Sequence, residues 1–160
     1  MADPAISLVA KSPYELRTDL GARVSEGDVR SALASGDMGF LHSYTTGSAV
    51  DGPGVRVVAW TSGCMWPCRY CHNADTWKMG NGLPVSVARA VEELRKYAHG
   101  LTVMSGGFTI SAGEPLMQHR FTAKLLAAAK KMRIHTVIET NGYFGDRLSD
   151  ADLENIDLVM

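Results

Sequence analysis

The sequence predicts an α/β fold organised around a parallel sheet. Short apolar runs rich in β-branched residues alternate with stretches of helical spacing, and each step from strand to strand leaves room for one crossover helix. In addition, a cysteine loop, an SAGEP segment and an ETNG segment each follow directly after a predicted strand. Reactive groups in such folds gather at the C-terminal ends of strands. The three segments, scattered along the chain, are therefore expected to meet on one face.

Taken in order, residues 1–38 mix charges with Gly, Ser and Pro and hold no sustained period. One or two helical turns fit around Val29 and Leu33, limited by Gly27 and Gly36. This segment reads as an N-terminal extension without an assignable role, and residues 39–160 read as one domain. Val55 to Thr61 (VRVVAWT) follows the turn-forming DGPG of Asp51 to Gly54 and reads as a buried strand feeding the cysteine loop. Val87, Ala90, Val91, Leu94 and Ala98 fall at helical spacing, with Ser86 as N-cap and Gly100 as stop.

A second strand is expected over Leu101 to Met104 or over Phe108 to Ser111, with Gly106 and Gly107 between them. A helix over Gln118 to Met132 presents Phe121, Leu125, Ala128, Ala129 and Met132 on one face. Thr136 to Glu139 (TVIE) is a third strand, closed by the turn Asn141-Gly142. A short helix near Ala151 and a fourth strand from Leu158 complete the pattern. The chain stops at the edge of that strand, DLVM, so its C-terminal part is expected to be missing.

Composition narrows the function. With 160 residues, 46% hydrophobic and 21% charged, the chain suits one soluble globular domain with a real core. A formal net charge of -1 gives no reason to expect nucleic acid or an anionic membrane as partner. The N-terminus lacks a basic region followed by a long apolar core, and no stretch is apolar enough to span a bilayer. Three cysteines cannot all pair, which favours a reducing compartment and a cytoplasmic location.

Those cysteines, Cys64, Cys68 and Cys71 in GCMWPCRYCHN, lie within one short loop. Iron–sulfur cubanes are usually held by four cysteines. Three thiolates with no fourth in the chain leave one iron open, which points to chemistry rather than electron storage. The competing structural reading is a zinc site with His72 as fourth ligand. Adjacent Cys71 and His72 side chains point apart in an extended segment, which disfavours it. Trp60, Trp66 and Trp77 read as packing residues, and His42, His99, His119 and His135 as loop or surface residues.

VDGPGVR, GCMWPCRYCHNADTW, GGFTISAGEPLMQ, IHTVIETNG and DLVM occur in that order. Together they resemble the radical S-adenosylmethionine enzymes that activate glycyl radical enzymes, most of all the pyruvate formate-lyase activating enzymes. The resemblance covers residues 39–160 and implies a partial (β/α) barrel of the radical SAM type, with parallel strands, outer helices and the later strands missing. It implies a 4Fe-4S cluster on Cys64, Cys68 and Cys71, with S-adenosylmethionine chelating the open iron. Reductive cleavage then gives a 5′-deoxyadenosyl radical that takes hydrogen from a glycine of the partner enzyme.

By the same resemblance, Tyr70 lies against the adenine, and the backbone of Cys71 and His72 runs beside the cofactor. Gly113 is implied to admit its methionyl end, where a side chain would block close approach. Ala112 stands where the family has glycine, and its methyl is tolerable if φ is negative there. Glu139 and Thr140 are expected near the cofactor carboxylate, and Asp51 is the candidate catalytic group facing the partner's glycine loop, against a plain turn-forming role. The implied partners are a glycyl radical enzyme, in the first place pyruvate formate-lyase, and flavodoxin or ferredoxin as electron donor. No cysteine-rich insertion follows Cys71, which favours that branch. An activator of anaerobic ribonucleotide reductase, and an inactive cluster- or zinc-binding fragment, are the alternatives.

Overall fold

The computed structural model describes residues 26–160. Residues 1–25 of the expected extension lie outside the described residues. The elements run α1 (Glu26–Ser35), β1 (Met38–Ser48), β2 (Arg56–Thr61), β3 (Leu83–Ser86), α2 (Val87–Arg95), α3 (Ala98–Val103), β4 (Gly107–Ala112), α4 (His119–Lys131), β5 (His135–Ile138), α5 (Asp150–Leu153) and β6 (Leu158–Val159). Among the described residues six strands form one sheet in the order β3-β1-β2-β4-β5-β6. The α/β class is therefore as expected.

The pairings β2–β4, β4–β5 and β5–β6 are parallel, whereas β1 runs antiparallel to both β2 and β3. The apolar pattern does not announce β1 or β3, so the sheet is mixed where a parallel one is expected. The sequence of β1, MGFLHSYTTGS, has two glycines and a polar second half, and its register slips twice against β2. β3 is a four-residue edge strand containing Pro84, a residue tolerated in a sheet mainly at an edge.

Between Phe108–Ser111 and Leu101–Met104, the strand is the former; Leu101 belongs to α3 and is buried in the core. Gly100 lies inside α3 rather than ending the preceding helix. The start of α2 is set by Ser86, whose hydroxyl accepts from Arg89 N at 3.1 Å, a cap worth about 1 kcal/mol.

Alternation along the central strands divides the two faces of the sheet. Val57 and Ala59 of β2 and Phe108 and Ile110 of β4 join Ala90 and Leu94 of α2, Leu101 of α3, and Phe121, Leu125, Leu126 and Ala129 of α4 in one core. Each fully buried Leu or Phe there contributes about 1.5–3 kcal/mol. The opposite face carries Arg56, Val58, Thr109, Ser111 and Val137, and the DGPG turn packs against it. α1 packs on α4 and β1; Arg120 Nη1 and Lys124 Nζ donate to the last carbonyls of α1, Ala34 O at 2.5 Å and Ser35 O at 3.0 Å. Among the described residues no helix is long and apolar enough to cross a membrane.

Asp157, in the turn before β6, ties that strand down. Its carboxylate accepts from Lys130 Nζ, from Thr136 N at 2.9 Å and from Thr136 Oγ1 at 3.1 Å. Burial acts to raise its pKa, but the Lys130 ammonium and the Thr136 donors prevail and hold it at about 2, below the ordinary 3.8. A depressed folded-state pKa contributes stability above the unfolded value that is lost as pH falls toward the folded one. Acid unfolding should therefore steepen from about pH 4 towards pH 2. Asp157→Asn should lower stability at neutral pH and remove that part of the slope; denaturant titrations across this range check it, and an unaltered slope would count against the contact.

Candidate functional site

β2 and β4 pair in parallel through to Thr61 and Ala112, so the cysteine loop and the SAGEP loop leave the sheet side by side. They stay together beyond it. Glu114 N donates to Gly63 O at 2.7 Å, Gly63 N to Thr76 O at 2.7 Å and Cys64 N to Trp77 O at 2.9 Å. Gly113 N donates to Thr76 Oγ1 at 2.9 Å, and that hydroxyl donates to Asn73 O at 2.7 Å. The 3-10 turn Ala74–Thr76 and Trp77 thus form a clasp holding the start of the cysteine loop against the end of β4.

A third loop joins through Glu114, which is fully buried. Its carboxylate accepts from Leu116 N at 2.9 Å, Thr140 Oγ1 at 2.6 Å and Asn141 N at 2.8 Å. Both oxygens are engaged, as a buried carboxylate requires. Gln118 holds the outer side, bonding Phe40 N and O and Ser62 O. The sequence reading names neither Thr76 nor Glu114 as a site residue, takes Trp77 for a packing residue and takes Gln118 only for a helix start. For Glu114 a signal existed, an acid beside a proline in an otherwise apolar stretch.

The three loops enclose an open cavity of about 230 Å³ lined by Cys64, Cys71, Trp77, Gly113, Glu139 and Asn141, with Asn73, Ser111, Ala112 and Thr140 between them. Of the expected site residues, Cys64, Cys71, Gly113, Glu139 and Thr140 are brought together here. Cys68 and His72 are exposed on the cysteine loop, and Tyr70 is 85% exposed. Asp51 lies beyond the lining, at the foot of the same sheet face. Its carboxylate is bonded to Ser48 and its carbonyl accepts from Thr109 Oγ1 at 2.6 Å. The buried Arg56 guanidinium fixes that turn, donating to Thr109 Oγ1 at 3.0 Å and Pro53 O at 3.1 Å.

Two backbone details differ from expectation. Ala112 has φ of 68°, the left-handed region, so the negative φ that would excuse its methyl is not what the chain adopts. At Gly113 a Cβ would overlap the Gly63 backbone. The glycine is thus required by the contact between the two loops, whatever else it admits. His135 is not a loop residue; it lies in β5, with Nδ1 3.2 Å from Arg56 Nη1.

The electrostatics of the cavity lean negative. Among the described residues lining it none is basic, while Glu139 is acidic. Burial pushes the Glu139 pKa above its ordinary value and the Asp51 charge adds to this, against the lowering effect of the Ser111 hydroxyl bond. The thiols are unpaired, and Trp77 Nε1 donates to Cys71 Sγ at 3.3 Å. No three His, Cys, Asp or Glu side chains among the described residues converge as a single metal ion demands. A cubane distributes its cysteines over separate irons, so three free thiols on one loop beside an N–H donor suit it as a donor set.

Residues 50–160 match the family model of the 4Fe-4S single cluster domain, and the chain belongs to that family. Within it, the similarity is to activating enzymes. The chain is 40% identical over 125 residues to the pyruvate formate-lyase 1-activating enzyme of Escherichia coli (strain K12), covering 77% of this chain and 51% of that protein. It is 39% identical over 105 residues to the pyruvate formate-lyase-activating enzyme of Listeria monocytogenes, covering 66% and 42%. With the enzyme of that name from Clostridium pasteurianum the identity is 38% over 123 residues, covering 77% and 51%. The chain spans about half the length of the curated relatives it matches.

The two backbone details make opposite predictions. Ala112→Gly releases a left-handed alanine, a relief of about 1–2 kcal/mol, partly offset by unfolded-state entropy of about 0.4–1 kcal/mol. Thermal unfolding should show a small net gain. Gly113→Ala must push Gly63 away and should cost about 1–3 kcal/mol, with iron uptake falling as the cysteine loop shifts. Equal effects of the two substitutions would contradict this geometry.

Proposed function

We propose that this chain carries the cluster- and cofactor-binding part of a radical S-adenosylmethionine activating enzyme that installs a glycyl radical on pyruvate formate-lyase. The observation that carries this reading is the juxtaposition of a three-thiol loop with the SAGEP and ETNG loops around one cavity. The names of the relatives support the same reading. Cys64, Cys68 and Cys71 would hold the 4Fe-4S cluster and leave one iron for the cofactor. The cluster and S-adenosylmethionine together supply one-electron cleavage of a sulfonium and, through it, hydrogen abstraction from a backbone glycine.

The chain's own residues then have separable tasks. Gly113 and the clasp set the distance between the cysteine loop and the end of β4. Glu139 and Asp51 give the cavity a negative bias, which suits a sulfonium cation and disfavours an anionic ligand. Tyr70 and His72 face solvent on either side of Cys71, which turns to the cavity, and Tyr70 offers a flat ring for the adenine. Asp51, held through Thr109 in a turn fixed by Arg56, lies on the same sheet face and would meet an entering glycine loop. Flavodoxin or ferredoxin would deliver the electron in the cytoplasm, a compartment compatible with unpaired thiols.

Anaerobic reconstitution tests this reading. The loaded chain should take up a four-iron cluster and, under dithionite, convert S-adenosylmethionine to 5′-deoxyadenosine. Mixed with pyruvate formate-lyase it should give a glycyl radical by electron paramagnetic resonance. Zinc in place of iron, with no iron uptake on reconstitution, would remove the reading altogether. A radical formed on anaerobic ribonucleotide reductase alone would move the assignment to that partner.

A further inference from the structure

Trp77 is bound to the cysteine loop at two points. Its carbonyl accepts from Cys64 N at 2.9 Å, and its indole Nε1 donates to Cys71 Sγ at 3.3 Å. The ring is half-buried and forms part of the cavity wall. By contrast Trp60 donates its indole N–H to Thr45 Oγ1 at 2.8 Å, between neighbouring strands. Trp77 has thus placed its one polar side-chain atom on a sulfur. An indole N–H is a donor only, so the dipole presents its positive end to the sulfur in any protonation state of the site.

We propose that Trp77 sets the reduction potential of the cluster, its indole N–H donating to the Cys71 thiolate and favouring the reduced state. The inference rests on the assignment of Cys71 as a cluster ligand. Hydrogen bonds to ligand sulfurs are among the factors that tune iron–sulfur potentials. The sign follows from charge. Reduction adds one negative charge, shared between iron and sulfur, and a fixed N–H dipole stabilises the more negative state more. The bond therefore raises the potential and makes the cluster easier to reduce by a weak donor. Because the carbonyl of the same residue holds Cys64 N, indole placement is coupled to the geometry of the loop.

The clasp explains how the indole is held. Thr76 is buried and bonded on three sides, through its carbonyl to Gly63 N and through its hydroxyl to Gly113 N and Asn73 O. The next residue has little freedom left in its backbone. Trp77 acts through Cys71 and is a positioning residue; it need not touch the cofactor.

The test is Trp77→Phe, which keeps an aromatic ring and removes the donor. Reconstituted anaerobically, the variant should retain the four-iron signal while its reduction equilibrium falls about tenfold, as loss of a hydrogen bond to a charged group allows. Such a change is about 59 mV for one electron. A loaded variant with an unchanged midpoint potential overturns the proposal. Should Trp77→Phe fail to take up iron, a Trp66→Phe chain labelled with 15N-indole tryptophan decides. A 15N coupling to the reduced cluster in hyperfine spectra supports the bond, and its absence overturns it. A wild-type chain that binds no cluster overturns this inference and the proposed function together. A potential shift without cleavage of S-adenosylmethionine overturns only the proposed reaction.

Discussion

The contact between the Gly63 and Gly113 backbones is the constraint on which the rest of the site depends. Parallel strands lie about 4.8 Å apart, and β2 and β4 are in register to their last residues, Thr61 and Ala112. Their loops therefore begin as neighbours. They remain so because Ala112, at φ of 68°, turns the chain sharply and Gly113 has no Cβ to hold Gly63 off. The Glu114 N to Gly63 O bond then closes the approach. Strain of this kind persists where surroundings over-determine the backbone, and it clusters at functional sites. Here the surroundings are the clasp from Thr76 and Trp77 on one side and the buried Glu114 on the other.

Glu114 shows why these loops form one rigid unit. A buried carboxylate is costly unless its oxygens are met by donors. The donors it finds are Leu116 N at the start of its own loop and Thr140 Oγ1 and Asn141 N at the end of β5. Desolvation thereby fixes the third loop against the second, as the glycine contact fixes the second against the first. The DGPG turn is joined to the same sheet face at its foot, through Arg56 and Thr109. Removing any of these partners would leave a buried charge or donor without compensation, a loss of about 1–3 kcal/mol.

What was legible in the sequence was what rests on local patterning. The β-branched run before the cysteines and the spacing from Phe121 to Ala129 gave β2 and α4, and Ser86 gave the start of α2. The convergence of the three loops followed from parallel topology alone. β1 is not legible because its pairing is decided by neighbours on both sides, not by its own polar and glycine-containing pattern. Likewise, Gly113 is a glycine for a contact made with a residue fifty positions earlier, and Trp77 resembles any packing tryptophan until its N–H is seen on a sulfur. Long-range complementarity of this kind leaves no period to read.

The charge distribution links the fold to the chemistry. Strand alternation puts Ser111 and Glu139 on the face that looks into the cavity, and the DGPG turn sets Asp51 at the foot of that face. Burial together with the Asp51 charge raises the Glu139 pKa, so an unliganded site bears a cost for each negative charge it keeps. A cation entering the cavity relieves that cost, whereas an anion adds to it. The Trp77 donor dipole acts on the single sulfur of Cys71 and leaves the cavity as a whole receptive to positive charge. The same arrangement can thus favour a cationic cofactor while easing electron entry into the cluster, because the first depends on the summed field and the second on one local bond.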